Sequence, residues 1–175
     1  DSKIHEERFV GLVILISRFK VAQNKKSLDV KAQKEIFDFY MKNLYAQRVN
    51  NWDLIDSTAP YLGYYLLGKP GTTKLLNSLA ESNSLWERRA AVMFTFAFIR
   101  EFELDDTLRL CKKLLNDPHD LMHKACGWML RELGKQDLGA LREFLDANVK
   151  KMPRTMLRYS IEKMSERERK EWLKR

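Results

Sequence analysis

The amino-acid sequence predicts an all-α fold, a HEAT-like helical-repeat solenoid in which antiparallel helix pairs stack side by side. Three observations predict it. Glycine and proline are scarce, at seven and four among 175 residues. Apolar residues recur at helical spacing almost throughout, and no stretch alternates with period two for long enough to make a strand. Segments of similar pattern return every 33 to 35 residues, which is the signature of stacked helical units.

The helices follow from apolar spacing and from the punctuation between them. The first is predicted over 3–22 and contains the longest apolar run, 9–16, whose eight residues are too few to span a bilayer. The second is predicted over 29–49. A third, over 52–67, opens behind Asn50 or Asn51, either of which can cap it, carries Asp53 in its first turn, and meets Pro60 soon after. Gly68-Lys69-Pro70-Gly71 ends it, and helix 72–81 follows. Asn83-Ser84 introduces helix 84–101, which is apolar nearly all round through Val92, Met93, Phe94, Phe96, Phe98 and Ile99 and belongs in the middle of the stack. Helix 105–115 is closed by Asn116-Asp117-Pro118, helices 119–133 and 137–147 follow, and Met152-Pro153 precedes helices 153–163 and 165–174. All 175 residues read as one domain.

The repeat can be written residue by residue. Trp86-Glu87-Arg88-Arg89-Ala90-Ala91 aligns with Leu121-Met122-His123-Lys124-Ala125-Cys126 at an offset of 35, placing Arg89 over Lys124. A further 34 residues lead to Arg158, and Leu108-Arg109 matches Leu141-Arg142 at an offset of 33. The period is shorter than usual for HEAT repeats. Stacking would turn one cation per repeat into a basic stripe on the concave side.

Composition narrows the function classes. With 45% hydrophobic and 32% charged residues the chain is neither a disordered tail nor a membrane protein. No secretory signal opens it, and Cys111 and Cys126 form no CxxC or Cys/His pattern, which points to a reducing cytoplasm and away from structural zinc. His119 and His123 lack the intervening Glu of a zinc-protease helix, and no phosphate loop, dinucleotide fingerprint, nucleophile elbow or kinase motif is present. The net charge of +8 and pI near 9.5 favour a polyanionic partner. From 150 to 175 ten Lys/Arg stand against four Glu, so +6 of that excess lies in the last 26 residues. That segment reads equally well as a solvated helix with i,i+4 pairs such as Arg167 with Glu171, or as a nucleic-acid contact.

Several side chains fall on helices that the repeat makes equivalent. Trp52 and Asp56, four apart, share a helix face, as do Lys124, Trp128 and Arg131 at i, i+4 and i+7. Arg89 lies between them in the stack, and Arg154 and Arg158 follow. Cations along a groove neutralise phosphates, and aromatic rings pack on sugars or bases. A carboxylate there repels phosphate, so Asp56 is the informative departure: it suits a positively charged transition state. Each residue also has a purely structural reading. The tryptophans can be core, Asp53 and Asp56 can complement a helix N-terminus, and Arg88 or Arg89 can pair with Glu87 or with a neighbouring helix. The residues alone therefore stop at a basic helical-repeat protein that binds nucleic acid; the competing class is a non-catalytic scaffold for DNA, RNA or an acidic protein.

Four segments carry a more specific resemblance: 51–56 with the following Ser57-Thr58-Ala59-Pro60, 86–91, 124–132 and 154–163. In this order the chain resembles the AlkD-type DNA alkylation repair proteins, a family of HEAT-like-repeat DNA glycosylases. The resemblance implies a hydrolase that cleaves the N-glycosidic bond of N3- or N7-alkylated purines in double-stranded DNA as a monomer, without metal or cofactor. It places Asp56 at the family's catalytic aspartate, Trp52 and Trp128 at the two tryptophans flanking the lesion, and Arg89 at an arginine on the DNA backbone. Lys124, Arg131, Arg154 and Arg158 are expected on the backbone as well. The chain opens on Asp1 rather than on methionine, and N-terminal helices of longer family members are expected to lie outside it.

Overall fold

The computed structural model describes residues 2–175, and among these there is no strand. The helices are α1 (His5–Ala22), α2 (Val30–Tyr45), α3 (Trp52–Asp56), α4 (Ala59–Leu62), α5 (Thr72–Ala80), α6 (Leu85–Arg100), α7 (Asp105–Lys113), α8 (Asp120–Gln136), α9 (Leu138–Asn148), α10 (Arg154–Ser160) and α11 (Glu166–Lys174), with a 3₁₀ turn at Gly63–Leu66. Successive helices pack against each other as a helical-repeat solenoid. One row runs α3, α6, α8, α10, each touching the next, while α5 and α7 flank α6, and α7 and α9 flank α8. The three segments aligned by sequence repeat lie on α6, α8 and α10.

The apolar helix α6 is central, as its composition requires: ten of its residues, from Arg89 to Ile99, are buried. It meets α2, α3, α4, α5, α7 and α8. The predicted helix over 52–67 is divided instead into α3, α4 and the 3₁₀ turn. Two hydroxyls and a proline divide it. Ser57 Oγ donates to the carbonyl of Asp53 at 2.6 Å and Thr58 Oγ1 to that of Leu54 at 2.5 Å, competing with the helical ladder, and Pro60 has no N–H to continue it. Thr58 also reaches the hydroxyl of Tyr40 at 3.1 Å, and burial raises that phenol's pKa, so it stays neutral. The predicted second helix, 29–49, ends at Tyr45, and Gln47 beyond it has φ 55°, a left-handed conformation that closes the turn.

Side-chain caps open three of the other helices. Asp29 accepts from Ala32 N at 2.9 Å at the start of α2, Asp137 from Ala140 N at 2.9 Å at the start of α9, and Ser165 from Glu168 N at 3.3 Å at the start of α11. The last helix is tied back by its own charges: Arg142 Nε donates to Glu168 Oε1 at 2.8 Å, Arg175 pairs with Asp146, and Trp172 is buried.

Two glycines set the spacing of the row. A Cβ on Gly63 would lie 2.1 Å from the carbonyl oxygen of Phe94, so the 3₁₀ turn rests directly on α6. A Cβ on Gly127 would lie 2.5 Å from Tyr159 Cβ and 2.6 Å from the Met156 oxygen, so α8 and α10 touch backbone to backbone. Gly127→Ala is expected to lower stability by about 2 kcal/mol through that overlap, seen as a fall in the urea midpoint. Gly11→Ala, where nothing lies within 4 Å and the residue is in helix α1, is expected to leave or raise it. Equal midpoints for the two variants would show that the α8–α10 contact can open without cost.

Candidate functional site

Helix α3 presents its polar face because Leu54 and Ile55 are fully buried in the core. Its first turn is held twice: the Asn51 side chain accepts from Trp52 N at 2.8 Å, and Asp53 is 2.7 Å from His5 Nε2 on α1 while its other oxygen accepts from Leu54 N. Trp52 is left 53% exposed. One turn on, Asp56 faces α6.

There it meets Arg89, whose Nε donates to Oδ1 at 2.8 Å and whose Nη2 donates to Oδ2 at 2.7 Å. The third guanidinium nitrogen, Nη1, donates to the carbonyl of Leu121 on α8. This joins α3, α6 and α8 through one side chain. Arg89 is 5% exposed and Asp56 14%, so both are withdrawn from solvent beside an exposed indole. Arg88, next in sequence, points elsewhere: its Nε donates to Asp117 at 2.7 Å. Of the sequence readings, the structural one for Arg88 and Arg89 thus has partners outside α6, not Glu87.

Leu121, Lys124 and Trp128 lie at i, i+3 and i+7 and continue this face along α8. Lys124 Nζ is 2.9 Å from Asp120 Oδ2. Their hydrogen bond raises the lysine pKa and lowers the carboxyl pKa, with Thr155 adding to the latter, so both stay charged. Trp128 is partly buried against the core and donates its Nε1–H to Glu132 Oε1 at 3.2 Å. Arg131 pairs with Glu162 on the segment after α10, and its Nε is 3.6 Å from Glu132.

The expected backbone cations therefore differ in what they have free. Arg89 has each guanidinium nitrogen engaged inside the protein, Arg131 is paired, and Arg154 Nη2 donates to the carbonyl of Leu173 at 2.8 Å. Lys124 is 40% exposed on its Asp120 pair, and Arg158 is exposed with no hydrogen bond or ion pair among the described residues. Trp52, Asp56 and Arg89 are brought together, and Trp128 and Lys124 lie on the α8 face that Arg89 reaches. Sequence reasoning placed Asp53 in the first turn but missed its pairing with His5, and it missed the roles of Asp120 and Glu132. The i,i+4 spacings of Asp120 with Lys124 and of Trp128 with Glu132 carried a signal, whereas the pairing of His5 with Asp53 spans 48 positions and carried none.

Among the described residues no group of three or more His, Cys, Asp or Glu is placed to hold a metal ion, and no helix is long and apolar enough to cross a membrane. An ion-paired carboxylate beside an exposed indole can stabilise a developing positive charge and hold a water molecule. Comparison with curated proteins and with solved structures returned no match. The family model described as DNA alkylation repair enzyme matches residues 1–164, and the chain belongs to that family.

Proposed function

We propose that the protein acts on DNA as a glycosylase, hydrolysing the N-glycosidic bond of N3- or N7-alkylated purines. The observation that carries this reading is the Asp56 carboxylate, oriented through both oxygens by the buried Arg89 one helical turn from the exposed Trp52. An alkylated purine already bears a positive charge, so the C1′–N bond can break with its electron pair passing to the base, which leaves neutral and needs no general acid. Positive charge moves onto the sugar as an oxocarbenium ion. Asp56 stabilises it electrostatically, a term worth a few kcal/mol when the group is fixed beforehand. Water then adds to C1′ and gives up a proton, with Asp56 orienting it or accepting that proton.

Arg89 makes this possible in a specific way. A carboxylate has about four lone-pair sites, and the guanidinium occupies one on each oxygen. The remaining ones are available to water and sugar. Trp52 and Trp128 would pack on the deoxyribose and keep solvent from the cation. Backbone attraction falls to the exposed Arg158 and Lys124; Arg89 supports the site from inside, while Arg131 is engaged with Glu162 and Arg154 with the carbonyl of Leu173.

Asp56→Asn should lower release of 7-methylguanine from methylated DNA by about 100-fold or more while leaving DNA affinity within a few-fold. Undiminished release by that variant overturns the reading, and DNA binding without release by the unaltered protein favours the non-catalytic scaffold. Arg158→Ala should reduce the slope of log affinity against log salt by about 0.9, the loss of one phosphate contact. Arg89→Ala should leave that slope unchanged and lower the melting temperature, because it strands Asp56 beside the core. A reduced slope for Arg89→Ala would put its guanidinium on a phosphate instead.

A further inference from the structure

The face of α8 that continues the candidate site carries a carboxylate that the reaction does not require. Glu132 lies four residues beyond Trp128, and its side chain is only 14% exposed. Oε1 accepts the indole N–H of Trp128 at 3.2 Å, and Lys135 Nζ lies 2.7 Å from both oxygens. Arg131 Nε is 3.6 Å away and, although buried, has no hydrogen-bond partner; that guanidinium is committed to Glu162 through Nη1. A carboxylate on a DNA-facing side works against phosphate binding, so its retention beside an aromatic ring calls for a physical reason.

The indole supplies one. A cation over an aromatic face is attracted by the ring's negative quadrupole, most strongly for Trp. When the ring's N–H donates to an anion, the hydrogen bond pushes electron density back into the ring, since hydrogen-bonded groups polarise one another. The same bond fixes the rotation of the indole. A neutral ligand gains only the orientation, whereas a cationic one gains both effects.

We propose that Glu132 is a positioning and specificity residue: by accepting the Trp128 indole N–H it orients and polarises that ring so that the site favours positively charged nucleotides over neutral ones of the same shape. The inference rests on the glycosylase reading, in which both the alkylated purine and the oxocarbenium sugar are cations. Lys135 counteracts the effect by drawing charge from the carboxylate at the exposed edge of the network, where its side chain is 45% exposed.

The test compares two DNA duplexes, one with a pyrrolidine nucleotide whose protonated ring nitrogen mimics the sugar cation and one with its neutral tetrahydrofuran counterpart. The unaltered protein should bind the pyrrolidine duplex more tightly. Glu132→Gln, which keeps an acceptor and removes the charge, should shrink that preference about fivefold, read as the ratio of the two affinities so that any gain in phosphate binding common to both duplexes cancels. Lys135→Ala should enlarge the preference, and should do so only while Glu132 is present. In a Trp128→Phe background, which has no ring N–H, Glu132→Gln should leave the preference unchanged; an equal effect there would mean that Glu132 acts through space, overturning the role of the indole. A normal preference in Glu132→Gln, with unaltered thermal stability, overturns the inference alone. No preference in the unaltered protein overturns it together with the glycosylase reading.

Discussion

The arrangement of the site depends on one buried ion pair, Asp56 with Arg89. A guanidinium that is 5% exposed needs a partner on each of its edges, and here the partners come from two helices other than its own. Such a pair contributes little net stability, because desolvating both charges offsets much of their attraction. What it contributes is registry. The two parallel hydrogen bonds to Asp56 define the plane of the carboxylate, and the third bond fixes where α8 begins relative to α3. Lysine has the charge but not the rigid planar fork, so it could not fix the plane of the carboxylate in this way.

The same economy recurs along the row. Each carboxylate near the α8 face has a cation beside it: Asp56 has Arg89, Asp120 has Lys124, and Glu132 has Lys135. Among the described residues, five of the ten cations in the positive terminal segment are engaged within the chain, mostly at its surface: Arg167 with Glu171, Lys170 with Glu166, Lys163 with Glu162, Arg175 with Asp146, and Arg154 with the carbonyl of Leu173. The net charge of +8 is therefore a weaker guide to where DNA lies than the positions of the cations left without an internal partner. Pairing each carboxylate lowers its repulsion of phosphate at a distance while leaving the local field near the oxygens intact, because a dipole's potential falls off faster than a charge's.

Local pattern made the stack legible. Apolar periodicity, the Gly-Lys-Pro-Gly break and the recurrence of Arg89, Lys124 and Arg158 placed α6, α8 and α10 in one row, and the resemblance named the family. The division of the helix over 52–67 was harder to read: Pro60 signalled an interruption, but the hydroxyl bonds of Ser57 and Thr58 that end α3 at Asp56 are a choice between local partners. Arg89 was assigned two roles from sequence, a backbone contact by resemblance and an ion pair by burial. Its partner was not readable because Asp56 lies 33 residues away and reaches it only once α3 packs on α6. Trp128 illustrates the same limit: its spacing placed it on a face, but its hydrogen bond to Glu132 depends on side-chain rotamers that spacing does not specify.

The histidines show how the proposed chemistry and the fold fit together. His5 is paired with Asp53, His119 accepts from Leu121 N at 3.3 Å as the cap of α8, and His123 Nε2 is 2.6 Å from the carbonyl oxygen of Asp117. His5 joins α1 to α3, and the other two hold the start of α8. A reaction that protonated a neutral base as it left would require a general acid positioned at that base. A cationic purine makes no such demand, since the alkyl group already supplies the positive charge that protonation would otherwise provide. Under the proposed function, a site built from a fixed carboxylate and indoles suits a substrate that brings its own activation, and discrimination falls to whatever senses that charge. On that reading the environment of the indoles carries as much weight as the Asp56 carboxylate itself.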